Sequence, residues 1–97
     1  MAKKILLTNK GIHSYLPDAL MKLGYEVVFD YTSTKKEMEQ KIHQFYGVVM
    51  KSRFRADKPF FKKATNLKFL ARVGVGFEHI DVEFAKKKGI EIILSPE

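Results

Sequence analysis

The stretch N-L-K-F-L-A-R-V-G-V-G-F-E-H-I-D-V-E-F-A-K-K-K-G-I-E-I-I-L-S-P-E, Asn66 to Glu97, decides how the chain is read. Leu67, Phe69, Leu70, Ala71 and Val73 make an apolar run of the length of a buried parallel strand, and it stops at Gly74-Val75-Gly76, where two glycines let the backbone turn sharply. Asp81 can cap a short helix with Glu83 in its first turn and Lys86, Lys87 and Lys88 in its last, which complements the helix dipole at both ends. Gly89 ends that helix, and Ile90, Ile92, Ile93 and Leu94 form a further strand. Strand, glycine turn, helix and strand thus follow in succession.

The same alternation fills the chain upstream. Lys4 to Thr8 is a strand whose Ile5, Leu6 and Leu7 are too continuous to have one wet face, so it belongs in the middle of a parallel sheet. Thr8-Asn9-Lys10-Gly11 is its turn. Ser14 can cap a helix with Pro17 in its first turn, Leu16, Ala19, Leu20 and Leu23 recurring at helical spacing, and Gly24 as its stop. Val27, Val28 and Phe29 make the second strand. Thr34 and Glu37 have the capping-box spacing ahead of a stripe of Met38, Ile42 and Phe45. Gly47 to Met50 is the third strand, the basic loop Lys51-Ser52-Arg53-Phe54-Arg55 follows it, and Asp57 with Pro59 starts a helix carrying Phe60, Phe61 and Ala64 that ends at Asn66.

Five strands alternating with four helices, joined by short connections, predict one α/β domain over residues 1–97: a doubly wound, flavodoxin-like parallel five-stranded sheet in the order 2-1-3-4-5. A sheet of this kind is normally completed by a helix after strand five. With that final helix missing, apolar sheet surface is expected to stay open on one face and to be covered by another copy of the chain, a swapped element or further polypeptide, which points to a homo-oligomer or domain-swapped dimer.

Composition narrows the chemistry. There is no cysteine, hence no disulfide framework or thiolate metal site, and His13, His43 and His79 show no metal-ligand spacing. The start Met1-Ala2-Lys3-Lys4 leads straight into Ile5, too brief for a signal peptide, and no apolar run approaches the ~20 residues needed to cross a bilayer. A cytoplasmic protein with no membrane partner is expected. The formal charge of +7 is dispersed over Lys3-Lys4, Lys35-Lys36, Lys62-Lys63 and Lys86-Lys87-Lys88, at the ends or exposed faces of different elements, and so reads as solvated surface rather than as a nucleic-acid site.

Gly74-Val75-Gly76 is only G-x-G, position 79 holds histidine where a dinucleotide motif has its third glycine, and a cofactor-phosphate loop is rejected. Two readings remain: a plain tight turn, or a turn whose Val75 and Gly76 amides hold a small carboxylate. Lys51, Ser52 and Arg53, ending the neighbouring strand, offer a point charge, a hydroxyl and a bidentate fork to the same ligand, or are a solvated basic loop. Arg72 is either a surface or an interdomain residue. Glu78 and His79 are adjacent in sequence, which does not make them an acid-base pair, and His13 and His43 are assigned to the surface or core edge. Thr8-Asn9-Lys10 and Lys51-Ser52 stand where a receiver domain needs acidic residues, and Thr8 to Gly11 matches a flavin-phosphate loop poorly.

The run from Asp57 to Glu97, with Asn66-Leu67-Lys68-Phe69, Ala71-Arg72-Val73-Gly74-Val75-Gly76, Ile80-Asp81-Val82 and Lys88-Gly89-Ile90, resembles the N-terminal substrate domain of the D-2-hydroxyacid dehydrogenases, especially their D-3-phosphoglycerate dehydrogenase branch. Lys51-Ser52-Arg53 fits the same family. The resemblance implies a flavodoxin-like domain facing a separate NAD-binding Rossmann domain, with a 2-hydroxy or 2-keto acid in the cleft between them. It implies that the Val75 and Gly76 amides bind the substrate carboxylate and that Lys51 to Arg53 bind or enclose substrate. Lys51 stands where the family often has arginine, which keeps the charge and removes the bidentate geometry. The family's catalytic arginine, glutamate and histidine, and its nucleotide-binding glycines, match nothing here. NAD is therefore expected in the parent enzyme and not in this chain, which is expected to be inactive alone; the alternative is a stand-alone or engineered flavodoxin-like module that binds or self-assembles without catalysis.

Overall fold

The computed structural model describes residues 3–10, 12, 15–51, 54–74 and 80–95. Its five strands are β1 (Lys4–Leu7), β2 (Glu26–Phe29), β3 (Gly47–Met50), β4 (Phe69–Val73) and β5 (Glu91–Ser95), all parallel in the order β2-β1-β3-β4-β5. Between them run α1 (Tyr15–Lys22), α2 (Lys35–Lys41) continued by a 3-10 turn over Ile42–Gln44, α3 (Lys58–Lys63) and α4 (Val82–Lys87). This is the predicted α/β order.

Strand register sorts the apolar residues between two layers. Val28, Leu6, Val48, Leu70 and Ile92 stand in one row across the sheet. Met38 and Ile42 from the α2 end, Phe60 and Phe61 of α3, and Ala85 of α4 pack on that face, all with no exposed surface. The next row, Phe29, Leu7, Val49, Ala71 and Ile93, points to the other face, where Leu16 and Leu20 of α1 lie. Here α1 is the one covering helix among the described residues, and Ile93 at the β5 edge stays 39% exposed. Each buried aliphatic or aromatic side chain contributes about 1.5–3 kcal/mol, so the face covered by α2, α3 and α4 holds most of the core.

The caps form as the spacing predicts. Thr34 Oγ1 accepts from the Glu37 N–H at 3.2 Å while the Thr34 N–H donates to Glu37 Oε1 at 2.8 Å. Asp57 and Asp81 cap α3 and α4 by accepting from the Phe60 and Phe84 amides. Gly24 turns the chain out of α1 with φ +93°, and Gly89 does the same after α4 with φ +76°.

Three expectations are corrected. Leu23 is 74% exposed: α1 ends at Lys22, and although the Leu23 N–H still donates to the Ala19 carbonyl at 3.2 Å, its side chain stays in solvent. α3 stops at Lys63, and Asn66 lies in the following turn, its Nδ2 donating to the His43 carbonyl at 2.7 Å. Arg72 is buried, not a surface residue. The Ser14 cap lies outside the described residues. No helix among those residues is long and apolar enough to cross a membrane.

Two ion pairs tie α2 to its surroundings: Lys41 binds Asp30 in the loop after β2, and Lys35 reaches Asp57 at the start of α3. Burial pushes the Asp30 carboxyl up, but hydrogen bonds from Lys41, the Ser33 hydroxyl and the Ser33 and Thr32 amides outweigh it and hold the group well below the usual carboxylate range. Asp57 moves the same way, with burial opposed by Lys35 and the Phe60 amide. A carboxylate whose folded pKa is depressed stabilises the fold above its unfolded pKa, and that contribution disappears as pH falls toward the folded value. Stability is therefore expected to be full at neutral pH and to decline below about pH 5. Asp30→Asn is expected to flatten this acid limb in urea midpoints measured against pH; an unchanged limb would show that Asp30 does not set it.

Candidate functional site

All five strands point their carboxyl ends to one edge, and two loops on that edge carry the candidate binding residues. The first leaves β3 at Met50 and the second leaves β4 at Val73, on neighbouring strands about 4.8 Å apart with Met50 in register with Arg72. At their far ends the loops meet again, because Ala56 and Ile80 form an isolated parallel bridge and the Asp81 N–H donates to the Ala56 carbonyl at 2.8 Å. Both loops are thus held side by side at each end. Ser52 and Arg53 lie inside the first and Val75, Gly76, Glu78 and His79 inside the second, outside the described residues.

Lys51, half-buried at the mouth of the first loop, is fixed through its backbone. Its N–H donates to Asn9 Oδ1 at 3.0 Å, and the same oxygen accepts from the Thr8 hydroxyl at 2.9 Å, using both lone pairs of the amide carbonyl. Thr8 is itself fully buried, with its N–H on the Val49 carbonyl at 3.1 Å. The turn after β1, which on sequence is only a poor match to a flavin loop, is therefore a brace for the loop after β3. An asparagine directly after a central strand is the signal that could have shown it, since its side chain competes for nearby backbone amides.

The second loop opens on Gly74, whose φ of +135° is a conformation L side chains rarely adopt. A Cβ there would stand 2.5 Å from Nη1 of Arg72, so the glycine also makes room for the guanidinium folded against it. Arg72 is 8% exposed. Among the described residues its buried Nε and Nη1 have no hydrogen-bond partner.

Among the described residues, basic groups outnumber free acids at this edge. Lys10, Lys51, Arg55 and Arg72 all belong to it, with Lys10 Nζ 5.9 Å from the Tyr31 ring centre. Among the described residues the carboxylates of the connecting loops are engaged, Asp30 by Lys41, Asp57 by Lys35 and the α3 cap, and Asp81 by the α4 cap. Positive charge at open strand ends is the electrostatic setting that favours an anion. No group of three or more potential metal ligands occurs among the described residues.

Residues 5–97 match the D-isomer specific 2-hydroxyacid dehydrogenase family, catalytic domain. The chain is similar to a D-3-phosphoglycerate dehydrogenase of Methanocaldococcus jannaschii, 35% identical over 94 residues that make up 97% of this chain and 18% of that protein. It is also similar to the D-3-phosphoglycerate dehydrogenase of Archaeoglobus fulgidus, 29% identical over 91 residues, 94% of this chain and 17% of the relative. The chain therefore spans less than a fifth of the length of these curated relatives. Among solved structures, NAD+-bound 3-phosphoglycerate dehydrogenase of Entamoeba histolytica superposes with a TM-score of 0.84 at 24% identity, covering 97% of this chain and 33% of that one, a likeness of fold.

Proposed function

The chain belongs to the D-isomer specific 2-hydroxyacid dehydrogenase family, and from that premise we propose that its 97 residues are the substrate-binding domain of an NAD-dependent oxidoreductase of the D-3-phosphoglycerate dehydrogenase kind. The observation that carries the reading is the double anchoring of the two loops, by the Met50 and Arg72 register at one end and the Ala56 and Ile80 bridge at the other. On this reading the Val75 and Gly76 amides receive the carboxylate of a 2-hydroxy or 2-keto acid, and Lys51, Ser52 and Arg53 close over it. Amide donors held by a rigid frame need no reorganisation when the anion arrives. NAD, held by polypeptide beyond these residues, supplies the hydride acceptor. The 97 residues alone bind and orient the acid but leave nothing beside the reacting carbon to take its hydride.

The homo-oligomer belongs to the same proposal, in a cytoplasmic protein. Phe29 and Ile93, 48% and 39% exposed, end the same row of side chains across the α1 face, and a second copy would bury them. Sedimentation at a single chain's mass over a wide concentration range would remove that part.

Titrating the isotope-labelled 97-residue chain with D-3-phosphoglycerate tests the main reading. The amides of Lys51 and Gly74 are expected to shift while NAD added with the acid produces no reduced-nicotinamide absorbance. Absence of any acid binding overturns the substrate-domain reading, and turnover by the 97 residues alone overturns their inactivity.

A further inference from the structure

Resting on the homo-oligomer part of the proposed function, we propose that two copies meet edge to edge, with β2 of one antiparallel to β2 of the other, so that two five-stranded sheets become one. An edge strand carries backbone donors and acceptors on its outer side that invite another strand. β2 is such an edge, since among the described residues β1 is its one strand neighbour. The Glu26 N–H donates to the Lys3 carbonyl and the Asp30 N–H to the Leu7 carbonyl, so alternation along the strand turns the Val27 and Phe29 peptide groups outward. Nothing in β2 discourages pairing: it holds no proline or lysine, and its register with β1 runs unbroken from Glu26 to Phe29.

The residues of this edge fit a second copy of the chain. Glu26-Val27-Val28-Phe29-Asp30 reads acid, three apolar residues, acid, the same pattern in both directions. Two antiparallel copies centred on Val28 therefore match. On the α1 face Val27 comes opposite the partner's Phe29, twice over by symmetry, and each such pair exchanges two hydrogen bonds through the outward peptide groups. Phe29 is exposed and has Tyr31 edge-on beside it at 6.2 Å, so the contact takes aromatic surface out of water. On the other face Glu26 comes opposite the partner's Asp30. Lys41 already binds that aspartate, so the two acids meet with a cation in place. The far edge lacks this symmetry. Its exposed Ile93 and Leu94 are consecutive on β5 and stand on opposite faces, so neither face carries an apolar stripe to pair with its own copy. The proposed contact thus takes Phe29 and does not reach Ile93.

Hydrogen exchange of the 97-residue chain, followed residue by residue from dilute to concentrated solution alongside sedimentation equilibrium, tests the proposal. A contact of one short strand a side is small for a stable interface, so dimers are expected to fill at micromolar concentrations or above. The Val27 and Phe29 amides are expected to slow about tenfold once roughly nine-tenths of the chain is dimeric, while Val28, already bonded to β1, keeps its rate. Val27→Pro removes an outward N–H that β1 does not use, a change edge strands tolerate, and is expected to weaken dimerisation about tenfold or more with the monomer still folded. Should Val27→Pro not fold, Phe29→Lys carries the test, since a charge on an edge strand opposes pairing. A dimer whose Val27 and Phe29 amides exchange at a rate independent of concentration, or one that survives both variants, overturns the β2 contact and leaves the homo-oligomer standing. Growth past two copies overturns it as well, because a twofold edge contact closes at the dimer. A chain that sediments as a monomer throughout overturns the contact and the homo-oligomer together. Acid binding tests the substrate-domain reading separately and is unaffected by any of these results.

Discussion

Alanine at position 47 is expected to destabilise the chain by about 1–3 kcal/mol, the usual cost of forcing an extra group into a filled core. Gly47 opens β3, paired with Ile5 on one side and Phe69 on the other, and a Cβ built on it would lie 2.2, 2.3 and 2.8 Å from three ring carbons of Phe69. Those contacts are shorter than packed atoms tolerate, so the ring has to move. Its neighbours resist: Phe69 sits edge-on to Tyr46 at 6.0 Å, Tyr46 stacks on Tyr25 at 5.9 Å, and Lys3 Nζ lies 4.3 Å from the centre of the Tyr46 ring. Replacing glycine by alanine in a strand also has a favourable side, about 0.5–1 kcal/mol from the restricted unfolded chain. The clash outweighs that gain as long as the aromatic row stays in place. Urea unfolding of Gly47→Ala checks the sign, and pairing it with Phe69→Leu is expected to recover much of the loss by clearing the ring. A Gly47→Ala chain as stable as its parent would show that the ring moves freely.

Gly47 also marks the limit of what the sequence shows. Its neighbours Val48, Val49 and Met50 announce a buried strand by composition, as Ile5 to Leu7 do for the central one, and periodicity places Met38, Ile42 and Phe45 on one buried stripe. Such signals are local and repeat, so strand order and helix sides follow from them. A glycine that serves as the floor for an aromatic ring carries no pattern, and its role appears only once β3 and β4 are paired. The candidate site divides in the same way. Gly74 reads correctly as a turn because backbone freedom is written in the residue type, and its φ of +135° agrees. The Asn9 to Lys51 brace spans 42 positions, and the Ala56 to Ile80 bridge joins two loops across α3 and β4. No periodicity encodes contacts of that range. Arg72 misleads for a different reason: charge predicts exposure, and only its alternation with Leu70 on a strand, followed by glycine, hints that it turns inward. Of the five candidate binding residues, Lys51 is seated at the mouth of its loop, while Ser52, Arg53, Val75 and Gly76 lie outside the described residues, so their part stays with the proposed function.

Truncating Phe60 to alanine is expected to cost about 3–5 kcal/mol, the range for deleting a large aromatic side chain from a core. Against a total of about 5–15 kcal/mol for a domain of this size, that removes about a fifth of the stability or more. The loss is high because Phe60 has no exposed surface and two aromatic neighbours, Phe61 edge-on at 5.5 Å and Phe54 tilted at 5.3 Å. Phe54 belongs to the first candidate loop, two residues before the Ala56 bridge, so Phe60 supports the site as well as the core. Removing its ring takes away the surface on which Phe54 rests, and the Asp81 N–H bond to Ala56 should open more often. Phe54→Ala separates the two effects, because Phe54 is only half-buried and its loss costs less globally. Hydrogen exchange at Asp81 is expected to accelerate in both variants, while urea unfolding drops by the full amount only in Phe60→Ala. If Asp81 stays protected in Phe54→Ala, and in Phe60→Ala exchanges no faster than global unfolding requires, the loop is held by the bridge alone and Phe60 acts only on the core.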